Sequence, residues 1–227
     1  MARHIPRYGV FIIESLDWKN ERDGNLSGYA LKTILDLSGI DNEYYYIRTK
    51  VELKKVIKEF KKSDLFFLHL VCHGDSNGLE FTIDFLDFDA LGKIMGPFLK
   101  YRRLFLSACN AACPAFAEQF IPRHHCYSVI GSPDTIDYDK AAILWSSFYY
   151  LMYINDQKHM YQKNLIPTIE NVTRLFQEPI NYYSIINDTM EKSKTHLREI
   201  HFNNGVQLVS RSIKTKFENL YWNERFN

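Results

Sequence analysis

Apolar residues in this chain recur with two different periods. Tyr8-Gly9-Val10-Phe11-Ile12-Ile13, Tyr44-Tyr45-Tyr46-Ile47, residues 65–72, residues 103–107 and residues 127–130 are short, nearly continuous runs of bulky side chains. They are too short for amphipathic helices and read as strands buried on both faces. Between them the spacing changes to i, i+3, i+4, i+7. Ser27 is placed to cap a helix with Ala30, Leu31, Ile34, Leu35 and Leu37 on its apolar face and Gly39 just past its end. Thr49 and Glu52 form a capping box ahead of Leu53, Val56, Ile57 and Phe60. Leu91, Ile94, Met95 and Phe98 mark a further helix, and Pro114 opens another that runs to about Phe120. Asp137 or Asp139 caps one carrying Ala141, Leu144, Trp145, Phe148, Leu151 and Met152. Residues 17–25 read as a polar loop, and Asn77-Gly78 ahead of residues 79–83 as a hairpin turn.

Strand and helix alternate with short connections, which predicts an α/β fold: a mainly parallel sheet of about six strands with helices on both faces. Residues 1–154 form the core of this reading. Residues 155–227 read as a mostly helical part packed on the same domain, with helices near 171–176, 182–197 and 212–221. Ile185, Ile186, Met190 and Leu197 supply its apolar face.

Composition adds exclusions. The 227 residues are 46% hydrophobic and 24% charged, with 28 Lys+Arg against 27 Asp+Glu and a net charge of +1, so no global field draws the chain to nucleic acid or to a membrane. The basic residues from Arg211 to Arg225 are interrupted by Glu218 and Glu224 and read as a solvated face. No apolar run spans a bilayer, and the first residues do not read as a signal peptide. The expectation is a cytoplasmic protein whose Cys72, Cys109, Cys113 and Cys126 are reduced thiols.

Two of the strand-like runs end in reactive side chains: His73 in Cys72-His73-Gly74, and Cys109 in Ser107-Ala108-Cys109. The carboxyl ends of parallel strands are where ligands and chemistry gather. An imidazole beside a thiol raises its thiolate fraction or takes its proton during attack, then protonates the leaving amine. Gly74 lets backbone pass close to a substrate, so its amide and that of Cys109 are oxyanion-hole candidates. Taken singly, His73 reads as an ordinary loop residue and Cys109 as a small buried hydrophobe. A zinc site built from Cys72-His73, Cys109, Cys113 and the connecting-loop residues His124-His125-Cys126 is an alternative, though it lacks paired-ligand spacing.

Leu68-His69-Leu70-Val71-Cys72-His73-Gly74, then Leu104-Phe105-Leu106-Ser107-Ala108-Cys109-Asn110, then Val129-Ile130-Gly131-Ser132 followed by Asp139-Lys140-Ala141-Ala142 and Phe148-Tyr149-Tyr150-Leu151, resemble the CHAT family of caspase-like peptidases. That family belongs to the clan of caspases, separases, legumains and gingipains. The resemblance spans about residues 8–154. It implies a caspase-like three-layer sandwich and peptide-bond hydrolysis through an acyl-enzyme. His73 would be the base and acid, Cys109 the nucleophile and Gly74 part of the oxyanion hole, with no metal or organic cofactor. It also implies a dedicated protein substrate and a role in bacterial defence or cell death. Since no repeat array accompanies these blocks, regulation would come from a separate activating protein, from the tail, or not at all. Asp134, Asp137, Asp139 and Asp17, with Glu14 beside it, are candidates for the S1 pocket, where a buried carboxylate would favour Arg or Lys at P1. A catalytically silent caspase-like interaction module is the competing reading.

Overall fold

The computed structural model describes residues 7–154, 159–187 and 195–214. Four runs of the predicted core are parallel neighbours in one sheet: β1 (Arg7–Glu14), β3 (Leu65–Val71), β7 (Arg103–Ser107) and β8 (Ser128–Gly131). Asn42–Tyr46 (β2) closes one edge beside β1, also parallel. Side chains alternate across this sheet with period two. Phe11, Ile13, Leu68, Leu70, Leu104, Leu106 and Val129 enter one core cluster. Val10, Ile12, Phe67, Val71, Phe105 and Ile130 enter the other.

Each cluster is roofed by helices. On the first face lie α3 (Lys50–Ser63), α4 (Phe88–Met95) and α5 (Pro114–His124), contributing Leu53, Ile57, Phe60, Leu91, Met95, Phe116 and Phe120. On the second lie α2 (Ser27–Leu37), α6 (Tyr138–Ile154) and α7 (Gln162–Phe176), contributing Leu31, Leu35, Leu144, Phe148, Leu165 and Ile169. The result is a three-layer α/β sandwich, as the pattern of buried strands and amphipathic helices requires. The Thr49–Glu52 capping box forms at the start of α3. A small antiparallel sheet, β4 (His73–Gly74), β5 (Gly78–Glu80) and β6 (Phe85–Asp87), folds back beyond the end of β3.

Three expectations are corrected. The sheet has eight strands rather than about six, in the order β11-β10-β9-β8-β7-β3-β1-β2. The added strands, β9 (Ile180–Asn187), β10 (Thr195–Asn203) and β11 (Val206–Lys214), are antiparallel. They replace the helices expected near 182–197 and at the start of 212–221; Met190 and residues 215–227 lie outside the described residues. The strands were hard to read because both faces are apolar: Tyr182 and Ile200 enter one cluster, Tyr183 and Leu197 the other. Finally, the polar loop after β1 contains a short helix, α1 (Trp18–Asp23), whose N-terminus is capped by Asp17. Among the described residues, no helix is long and apolar enough to cross a membrane.

Phe105 stands at the centre of the second cluster, fully buried among Phe67, Trp145, Phe148 and Tyr149. Phe105→Ala should cost about 3–5 kcal/mol of unfolding free energy, read as a lowered midpoint in urea titration with an unchanged slope.

Candidate active site

The site grows out of one register. Strands β3 and β7 are parallel with Val71 opposite Ser107, so His73 and Cys109 each lie two residues beyond a matched pair. Counting by twos from His69 and Val71 puts His73 on the side of the sheet facing α2 and α6, and Cys109 lies in the turn after β7 with its Sγ toward the β8–α6 connection. Both are partly exposed. Gly74 fits tightly against the segment that carries Cys109: a Cβ there would come within 3.2 Å of the Ala108 and Ala111 methyls and 2.9 Å of a Leu79 methyl. A larger residue here would have to push these neighbours back.

Amide directions can be read from two bonds. The Cys72 N–H donates to the Ser107 carbonyl (3.1 Å), and the Asp75 N–H to the Gly78 carbonyl across the hairpin (3.1 Å). Successive amides along extended backbone alternate in direction. The Gly74 N–H therefore points the same way as that of Cys72, toward the Ser107–Cys109 segment and away from β5.

His73 Nε2 is surrounded by polar groups. Asp17 Oδ2 lies 3.1 Å away, Tyr138 Oη 2.7 Å and Asn20 Nδ2 3.3 Å. Tyr138 Oη is also 3.4 Å from Nδ1, and the two rings meet edge to face. Asp17 and Asn20 are presented by α1, which is tied down by Glu21: it accepts from the Arg48 guanidinium and from Tyr46 Oη (3.1 Å). The Asn20 backbone N–H, more than any other group, holds the Asp17 carboxyl below the usual carboxylate range, and Asn20 Nδ2 and the His73 charge add to the effect. Burial, then the Asp17 charge, pushes the Tyr138 phenol up, so it stays neutral.

Cys109 Sγ lies 3.8 Å from the Ile136 carbonyl, and among the described residues no hydrogen bond joins it to His73. Asn110, in the left-handed region at φ 57°, turns the chain after it and donates its N–H to the Asp134 carbonyl (3.3 Å). The next turn is held from β9: Asn181 Nδ2 (3.0 Å) and Tyr183 Oη (3.2 Å) both donate to the Ala112 carbonyl. The other thiols differ. Cys72 and Cys126 are buried, which raises both pKa values, that of Cys126 to about 12. Cys113 is half-buried at the N-cap position of α5, not inside the helix.

The remaining candidates separate. Asp134, Asp137 and Asp139 are exposed, so the β8–α6 connection offers no buried carboxylate of the kind expected for S1. Asp17 is engaged with His73 and the α1 N-terminus. Glu14 is fully buried but accepts from the Gly28 and Tyr29 N–H groups (2.8 and 3.1 Å) and from Tyr44 Oη (2.7 Å). It supplies the cap expected from Ser27, which is instead the first residue of α2. The zinc ligands do not converge: among the described residues no three His, Cys, Asp or Glu side chains form a metal-binding group. The His124 ring packs against Gly96.

Three residues at or beneath the site carried no sequence signal of their role. Tyr138 is one tyrosine among 15, and Asn20 sits in a stretch read as loop. His69 lies in β3, four residues before His73 of β4. It is fully buried, with Nδ1 2.9 Å from Tyr149 Oη and Nε2 3.0 Å from Ser107 Oγ, so it joins β3, β7 and α6 directly under the site.

No family model and no curated protein matches this chain. Among solved structures it is similar to caspase-1 from Spodoptera frugiperda, at 16% identity and a TM-score of 0.41, over 66% of this chain and 77% of that one. So distant a likeness assigns no residue a role.

Burial lowers the His69 pKa to about 3 from 6.5, so the folded state holds it neutral while the unfolded chain binds a proton below about pH 6.5. Stability contributed in this way is complete above that pH and is lost as pH falls toward 3. His69→Gln should flatten the stability–pH curve between about pH 6 and 4 by roughly 1.4 kcal/mol per pH unit relative to the unsubstituted chain, measured by urea unfolding of both proteins.

Proposed function

We propose that this chain is a cysteine endopeptidase in which Cys109 is the nucleophile and His73 its proton acceptor and donor. The observation that supports this reading is the Val71–Ser107 register, which brings the ends of β3 and β7, and with them the segments that carry His73 and Cys109, to the same edge of the sheet. The CHAT-like blocks Cys72-His73-Gly74 and Ser107-Ala108-Cys109 support the same roles.

In this reading His73 takes the Cys109 proton as sulfur attacks the carbonyl carbon of the scissile bond. The oxyanion that forms is met by the Gly74 and Cys109 N–H groups. His73 returns the proton to the departing amine as the C–N bond breaks, leaving an acyl-enzyme that a water, deprotonated by His73, hydrolyses. Asp17, with its carboxylate at Nε2, orients the ring and stabilises the imidazolium formed during attack. Neither metal nor organic cofactor enters these steps. We further propose a dedicated protein substrate, a separate activating protein, a cytoplasmic setting and a place in bacterial defence or cell death, all on the family resemblance.

Iodoacetamide labelling of the native chain, read peptide by peptide, tests the dyad. Cys109 should be alkylated well ahead of Cys113, the other partly exposed thiol, and His73→Ala should abolish the difference. Equal labelling of the two together with no cleavage in a peptide-library digest would identify a catalytically silent module instead. In a peptide-library digest, Cys109→Ala should abolish cleavage, and Asp17→Ala should lower kcat/KM by about 10²-fold or more. The same digest reports P1 preference. Exposed carboxylates contribute no more than about 1 kcal/mol to an ion pair, so Arg or Lys at P1 should be favoured by no more than about fivefold.

A further inference from the structure

The β8–α6 connection touches the site at three alternate residues. The Asp134 carbonyl accepts from the Asn110 N–H (3.3 Å), the Ile136 carbonyl faces Cys109 Sγ (3.8 Å), and Tyr138 Oη meets His73 Nε2 (2.7 Å). The segment is itself pinned: Ser132 Oγ donates to the Asp134 carbonyl (3.1 Å) and accepts from its N–H (3.2 Å), and Ile136 packs against the α2/α6 core.

This arrangement works against the chemistry the site needs. A thiol becomes a nucleophile when its proton passes to the imidazole, yet the hydrogen-bond partner of Cys109 Sγ among the described residues is a peptide carbonyl, 3.8 Å away. The polar edge of His73 is occupied by a neutral phenol that spans both ring nitrogens, at 2.7 and 3.4 Å. An approaching leaving group needs one of those nitrogens.

We propose that residues 134–138 are a latch that keeps Cys109 and His73 uncoupled in the resting chain, and that Tyr138 must leave His73 before either can react. The inference rests on the dyad reading above. The bonds that close the latch are few: the phenol–imidazole hydrogen bond, one weak S–H···O contact and the bond from the Asn110 N–H to the Asp134 carbonyl. A substrate strand or an activating protein that contacts this connection could open it without disturbing the core. Removing the phenol oxygen alone should raise the open population by about five- to tenfold.

The test is the alkylation rate of Cys109 in the full chain at fixed pH with iodoacetamide, in Tyr138→Phe and in the unsubstituted protein. In the open state His73 accepts the thiol proton, sulfur attacks the iodoacetamide methylene carbon, the S–C bond forms and iodide leaves. Tyr138→Phe keeps the ring, so packing is retained; an unchanged thermal midpoint and an unchanged Cys113 rate verify this. Alkylation of Cys109 should accelerate about five- to tenfold, and adding His73→Ala should erase the gain. An unchanged rate in Tyr138→Phe would show Tyr138 to be a bystander, and a slower one would make it a positioning group; either overturns the latch while leaving the dyad standing. Acceleration that survives His73→Ala would instead overturn the dyad, and the latch with it.

Discussion

The parallel pairing of β3 with β7 is the constraint on which the rest depends. Five consecutive residue pairs, from Phe67 with Arg103 to Val71 with Ser107, set the register. Of the side chains on these two strands, Leu68, Leu70, Leu104 and Leu106 are committed to one core, and Phe67 and Phe105 to the other. A slip of one residue would drive every side chain of the shifted strand to the wrong face. The hydrophobic interior thus fixes an alignment whose consequence appears past the strand ends, where His73 and Cys109 each follow the Val71–Ser107 pair by two residues.

The polar groups around that edge are supported from several elements. His69 spans β3, β7 and α6 beneath the site through Ser107 and Tyr149. Glu14, buried at the end of β1, closes the N-terminus of α2, where unpaired backbone N–H groups and the helix dipole favour a carboxylate. Asn181 and Tyr183 reach from β9 to the Ala112 carbonyl, three residues after Cys109. Tyr183 Oη also lies 2.8 Å from Glu199 Oε1, and Glu199 is paired with Arg211 of β11. The antiparallel extension is therefore more than extra sheet: it is hydrogen-bonded, through a chain of buried polar groups, to the turn that carries the thiol.

The readability of these features from sequence differs by element. The strands at 65–71 and 103–107 and the helix at 50–63 were legible because local pattern and tertiary fate agree: continuous apolar runs buried on two faces, and a capped amphipathic helix lying on a sheet. The strands at 180–187 and 195–203 were misread as helix. With Tyr182 and Tyr183 buried on opposite sides, no alternation survives, and apolar residues four apart imitate a helical face. Asp17 was recognised as chemistry-bearing but offered as a substrate contact. Its pairing with His73 joins residues 56 positions apart, through a helix tethered by Arg48.

What the sequence determined alone is the layered α/β class and the delivery of one histidine and one cysteine to strand ends, because both follow from side-chain periodicity within a single segment. Only the tertiary structure decided which groups surround them. Asp17, Asn20 and Tyr138 come from the connections after β1 and β8, and no local pattern marks residues that meet across tens of positions. Whether the thiol faces an imidazole or a carbonyl is a matter of a few ångströms, settled by how those connections pack on the finished sheet.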